Sequence, residues 1–200
     1  MRFLIALLFS FISYSQICGY NGNIDLSKEL CDFYKGASFT SDETAEKGLA
    51  KILNAAGISK TFIMRECNGI NNASATTYKG VRYILYDKVF MEKIANRTDA
   101  WSSLSILAHE IGHHVNGHTL EALLYANDVV KPVSKAVSRK QELEADYFSG
   151  FIMAKLGASL NQASQAINLI SSDADDSNST HPSRSKRLRA IKSGFEAGYT

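Results

Sequence analysis

Asp99-Ala100-Trp101-Ser102-Ser103-Leu104-Ser105-Ile106-Leu107-Ala108-His109-Glu110-Ile111-Gly112-His113-His114-Val115-Asn116 is the stretch on which the reading of this chain turns. Leu104, Leu107, Ala108, Ile111 and Val115 recur at helical spacing, which predicts a helix from Asp99 to about Asn116 with one apolar stripe. Four of the chain's five histidines fall here or just beyond: His109, His113, His114 and His118. His109-Glu110-Ile111-Gly112-His113 has the pattern HExxH. Residues four apart lie one turn above each other, so His109 and His113 can aim two imidazoles at one ion. At about 100° per residue they point opposite the apolar stripe, toward a cleft and not the core. Glu110 stands beside them, within reach of a water on that ion.

A helix with surface histidines would leave the glutamate, the spacing and the opposed stripe without a common cause. A structural zinc site would need four protein ligands and no base. The three cysteines, Cys18, Cys31 and Cys67, lack the paired spacing for such a site. A hydrolytic zinc site leaves one position for water and so requires a third protein ligand. His118 is the nearest candidate, from the longer pattern H-E-x-x-H-x-x-G-x-x-H. That pattern wants glycine at 116 and histidine at 119, whereas the chain has Asn116, Gly117, His118 and Thr119. The register fails by one place in each direction.

The other candidate lies downstream, in Glu142-Leu143-Glu144-Ala145-Asp146. HExxH followed by a helix reading E-x-E-A-D resembles the HtpX-like and CAAX-prenyl-endopeptidase-like family of gluzincin metallopeptidases. The resemblance implies that Glu142 is the third zinc ligand and that Asp146 supports the ligands by hydrogen bonding. Helical spacing agrees, since Glu142 and Asp146 share a face. Ala145, Ser149 and Gly150 are small enough to let the first helix approach, and Glu144 is left for the surface. The expected donor to Asp146 is the outer ring nitrogen of His109 or His113. The rival arrangement pairs Asp146 with Arg139 or Lys140 on the helix surface.

Two further stretches carry the resemblance. Thr180-His181-Pro182 followed by Arg187 is similar to the family's T-H-P…R element, which implies an oxyanion-stabilising role for His181 and a supporting role for Arg187. Asn72-Ala73-Ser74-Ala75 resembles the N-A-F-A edge strand that holds substrate backbone, with Ser74 in the aromatic position. The likeness runs from about Asn71 to Ile191.

The remaining patterns place these pieces in an α+β chain. A helix is expected over Thr40–Ala56, with Thr40 or Ser41 as cap and Gly57 as stop. Strands are expected at Thr61–Cys67, Ala73–Tyr78 and Val81–Tyr86, the last two a hairpin through Lys79-Gly80. Asp87 can cap a short helix to Ile94. A helix from about Ser138 to Leu156 should end at Gly157, Ser159-Leu160-Asn161-Gln162 is a capping box, and Ser183 can cap a last helix. The polar run Ser171–Ser179 reads as a solvated loop, because it lacks the glycine and terminal glutamate of a calcium loop. The expected architecture is zincin-like: a small antiparallel sheet with a substrate-binding edge, packed on a helical body.

Composition narrows the rest. The chain has 200 residues, 45% hydrophobic and 21% charged, which suits one globular domain and excludes wholesale disorder. Twenty-two Lys+Arg against 20 Asp+Glu leave no basic excess for a nucleic-acid partner. Of the basic run Arg184, Lys186, Arg187 and Arg189, only Arg187 is expected to be other than solvated. Met1-Arg2 and the apolar run Phe3–Ile12 read as a signal peptide over residues 1–16, since a transmembrane helix needs roughly 20 apolar residues. The metallopeptidase domain is then 17–200, secreted or periplasmic. In that oxidising compartment Cys31–Cys67 is the preferred disulfide. Ile17 makes a lipid anchor on Cys18 a poor fit.

The expected function is a zinc endopeptidase with one Zn²⁺ per chain, held by His109, His113 and Glu142, with Glu110 as general base. Its partner is a peptide or unfolded protein. The alternatives are a metzincin-like protease using His118 as third ligand, and a non-catalytic, zinc-stabilised module that binds extended chains.

Overall fold

The computed structural model of the chain describes residues 43–78, 81–120 and 133–200. The expected signal peptide, Cys18, Cys31, the Thr40/Ser41 cap and the Lys79-Gly80 turn lie outside them. Among the described residues the order is α1 (Glu43–Ala56), β1 (Ile63–Glu66), β2 (Ala73–Tyr78), β3 (Val81–Tyr86), α2 (Lys88–Arg97), α3 (Ala100–Val115), α4 (Lys135–Lys155), α5 (Leu160–Ile170) and α6 (Arg184–Gly198). None of these helices is long and apolar enough to cross a membrane.

The sheet has the order β1-β3-β2. β2 and β3 pair antiparallel, with Tyr78 opposite Val81 as a hairpin requires. The expectation of a wholly antiparallel sheet is corrected by β1, which lies parallel to β3 with Ile63 beside Tyr83. The turn after Glu66 carries the chain across to the far side of β3, so the first and third strands run the same way. Asp87 holds that turn: its Oδ2 accepts from Gly69 N and Asn71 N, both at 2.9 Å, while Oδ1 accepts from Phe90 N and caps α2. Cys67, buried at the end of β1, is disulfide-bonded. Both of its possible partners fall outside the described residues.

α3 is the axis of the molecule. Leu107, Ala108 and Ile111 enter the core with Leu49, Ile52, Ile84 and Ile152. Each fully buried aliphatic side chain contributes about 1.5–3 kcal/mol. The helix is not two-faced as its stripe suggested: it is buried all round from Ser105 to His114, and Val115 at the end of the stripe is exposed. One side packs on the core, and the other is covered by β2, β3 and α4.

α4 starts at Lys135, capped by Ser134 Oγ on Val137 N, three residues before the expected start. Gly112 of α3 sits against Ala145 of α4, where a Cβ would stand 3.1 Å from the Ala145 Cα. Ser149 Oγ donates to Ser105 O at 2.8 Å and ties the same crossing. Gly150, expected at this contact, instead meets the Ile191 backbone of α6. α5 opens with the expected capping box of Ser159 and Gln162. At α6 the expected Ser183 side-chain cap is not made. Asp176 Oδ2 accepts from Ser183 N and Asp173 Oδ1 from Ser185 N, so two aspartates of the polar loop serve the helix start.

Candidate metal centre

His109 and His113 lie one turn apart on α3, and Glu142 faces them from α4. The three ligand atoms lie within 4.8 Å of one another. His109 Nε2 and His113 Nε2 are 3.1 Å apart, and the Glu142 oxygens stand 3.4 and 3.5 Å from them. All three side chains are buried.

The outer nitrogens fix what the inner ones can be. His109 Nδ1 is 2.9 Å from Asp146 Oδ1, a carboxylate that can only accept, so the proton of neutral His109 sits on Nδ1. Its Nε2 then carries a lone pair. Glu142 Oε2 is buried with no hydrogen-bond donor. The lone pair of His109 Nε2 and the Glu142 carboxylate, both acceptors, converge there with the His113 imidazole. Such a set is satisfied by a cation, and its N, N, O chemistry suits zinc.

Burial pushes the Glu142 carboxyl upward, but the imidazoles of His109, His113 and His181 outweigh it and hold it well below the usual carboxylate range. For Asp146 burial is likewise outweighed, by the Arg187 guanidinium and His109, and its pKa is lowered. Burial drives the His113 imidazole down against the pull of Glu142, favouring the neutral, ligating form. Burial raises Glu110 to about 7, opposed by His109 and reinforced by Glu142.

Asp146 is therefore turned inward onto His109, as expected, and Arg187 holds it from behind. Arg139 and Lys140, the rival partners, go elsewhere. Arg139 Nη1 donates to the carbonyls of Asp176, Ser177 and Ser179 at 3.0, 3.2 and 2.7 Å, and Lys140 reaches Glu144. That clamp orders the loop leading to His181, whose Nδ1 lies 3.3 Å from Glu142 Oε2. The polar loop is thus anchored at both ends, not simply solvated.

His118 does not join the ligand atoms. Its Nδ1 meets His113 Nδ1 at 3.0 Å, on the side of His113 away from Glu142, and its Nε2 is 2.9 Å from Glu144 Oε2. Glu144, assigned to the surface by spacing, is half-exposed but makes this contact. His114 looks the other way. Its Nε2 donates to Tyr83 O at 2.9 Å, and its Nδ1 accepts from Thr119 Oγ1 at 3.0 Å. No pairwise motif rule covers either contact; the signal for His118 was the Asn116-Gly117 helix stop. Gly117, at φ +77°, turns the chain back so that residue 118 returns to the face of residue 113.

β2 lies at one end of the sheet order, beside α3, which makes Ala73, Ser74 and Ala75 edge residues, with Asn72 just before them. All four are buried. Asp87 N donates to Asn72 O at 2.9 Å, so the bonded pairs of this ladder fall at Asn72, Ser74 and Thr76. The N–H and C=O groups of Ala73, Ala75 and Thr77 therefore point away from β3. The Ala75 N–H donates to the Glu110 carboxylate and ties this edge to α3.

Residues 119–194 match the sequence profile of Peptidase family M48. The matched span contains Glu142, Asp146, His181 and Arg187; His109, Glu110 and His113 lie just before it. No curated protein matches the chain.

Proposed function

We propose that this chain is a zinc-dependent endopeptidase of the HtpX-like, CAAX-prenyl-endopeptidase-like type, acting on peptides or unfolded proteins. One observation carries the reading: two imidazole Nε2 atoms and a buried carboxylate converge on one point, with Glu110 on the same helix turn. The match of residues 119–194 to a peptidase family supports it independently, since that span holds none of the HExxH residues.

In this reading His109, His113 and Glu142 hold one Zn²⁺, which when bound supplies Lewis-acid polarisation of a carbonyl and acidifies water. Glu110 accepts the proton of the attacking water and delivers it to the leaving amine. The Ala75 N–H aims Glu110. His181 donates to the oxygen on which negative charge develops. Asp146, gripped by Arg187, keeps the His109 proton on Nδ1. The substrate adds as a strand along Asn72–Ala75, using the backbone groups that β2 turns away from β3. Residues 1–16 direct the chain out of the cytoplasm, and 17–200 act as a secreted or periplasmic domain. A purely structural ion would have no use for Glu110.

The test is cleavage of a peptide library by the purified 17–200 chain. Hydrolysis should stop with a chelator and return with added zinc. A zinc-loaded, folded chain that cleaves nothing would overturn the endopeptidase reading.

A further inference from the structure

We infer that His118 and Glu144 are positioning residues that set the tautomer of His113, leaving its Nε2 ready for the metal. The inference rests on the proposed metal site and extends it to a residue that no ligand motif assigns.

Glu144 Oε2 can only accept, so at 2.9 Å it requires a proton on His118 Nε2. Neutral His118 then has a bare Nδ1. That nitrogen lies 3.0 Å from His113 Nδ1, which must be the donor. With its one proton on Nδ1, neutral His113 presents a lone pair at Nε2, the atom beside His109 Nε2 and Glu142. These two contacts run one way, from His113 Nδ1–H to His118, and from His118 Nε2–H to Glu144. Reversal of the first would leave His118 Nε2 with a lone pair facing a carboxylate. A half-exposed carboxylate thus decides which ring nitrogen of a buried ligand is free.

The two ligand histidines are set by different routes. Asp146 does for His109 directly what Glu144 does for His113 through His118. His118 is buried and its ring meets that of His113 edge to face, with centroids 5.1 Å apart, so the ring has little room to turn. Hydrogen-bond partners of this kind typically change metal affinity by about 10–100-fold when removed.

The experiment measures zinc affinity by chelator competition, together with the ring-nitrogen tautomers of ¹⁵N-histidine-labelled protein by NMR. His118→Leu keeps bulk but offers no acceptor, and should weaken zinc binding by about 10–100-fold. His118→Asn places an amide oxygen where Nδ1 stands and should restore affinity to within a few fold of the wild type. Glu144→Ala, at a half-exposed position, tests the far end and should unsettle the tautomer of His118 in the zinc-free protein. A structural role alone would lower stability without this pattern of loss and rescue. Wild-type zinc affinity in His118→Leu would overturn the proposal. Should that variant not fold, wild-type affinity and unchanged tautomers in Glu144→Ala would do the same. Glu142→Ala separates the two readings: if it still binds zinc as the wild type does, the metal site itself is wrong.

Discussion

Arg187 grips Asp146 with two hydrogen bonds, Nε to Oδ2 at 2.7 Å and Nη2 to Oδ1 at 2.8 Å, with both side chains buried. The same Oδ1 accepts from His109 Nδ1. A residue of the last helix is therefore coupled, through one carboxylate, to a ligand on α3. Arg187 is also 3.8 Å from Glu142 Oε2, so one guanidinium faces both Glu142 and Asp146.

Breaking that pair should be costly. Arg187→Met leaves Asp146 buried without its counter-charge, held by His109 Nδ1 alone, and removing one partner of a buried pair typically costs about 3–5 kcal/mol. Arg187→Lys should recover only part of this, because an ammonium cannot match both oxygens at once. Urea unfolding in the presence of chelator isolates the effect from metal binding. A midpoint equal to wild type in Arg187→Met would show that the pair contributes nothing to folding.

Glu110→Gln is expected to separate binding from chemistry. The amide is nearly isosteric and leaves His109, His113 and Glu142 intact, so zinc content should be that of the wild type. It cannot accept a proton, and hydrolysis should fall by about 10²–10⁴-fold, the usual worth of a general base. Metal analysis beside a peptidase assay reads both. Undiminished turnover would remove Glu110 from the mechanism.

Much of this arrangement was legible because it obeys local rules. Helical periodicity puts His109 above His113 and Glu142 on the face of Asp146, the family resemblance implies that the two pairs serve one site, and Ser159 with Gln162 needs only a three-residue interval. The parallel pairing of β1 was not legible, since strand order depends on where the turn held by Asp87 sends the chain. His118 does not fit the ligand register. Its actual position depends on Gly117 reversing the chain and on Glu144 arriving from another helix. Asp173 and Asp176 make contacts of the same non-local kind. The backbone N–H groups that they accept from lie 12 and 7 residues further along, which no short pattern announces.

His114 should make the fold acid-sensitive. Burial lowers its pKa to about 4, against the helping bond to Tyr83 and with Arg82 adding to the shift. Between pH 6.5 and about 4 the unfolded chain binds a proton here that the folded chain does not, so stability falls as pH falls. The loss is about 1.4 kcal/mol per unit of pKa difference. His114→Gln can still donate to Tyr83 O but cannot charge. Its stability in chelator should decline less steeply over that window than that of the wild type. Parallel curves for the two proteins would assign the acid sensitivity elsewhere.

Strand addition at β2 makes a prediction with a period of two. The backbone groups of Ala73, Ala75 and Thr77 point away from β3, and Ala75 already spends its N–H on Glu110. A peptide laid along this edge can use only alternate residues of its own backbone for the ladder, because successive N–H groups of a strand point to opposite sides. N-methylation of a good substrate, one residue at a time, should therefore impair cleavage at every second position flanking the scissile bond. Each lost hydrogen bond is worth about 0.5–1.5 kcal/mol, or roughly two- to tenfold in kcat/KM. Positions between them should tolerate the methyl group. Equal sensitivity at every position, or at none, would mean that the substrate is not held as a strand on β2.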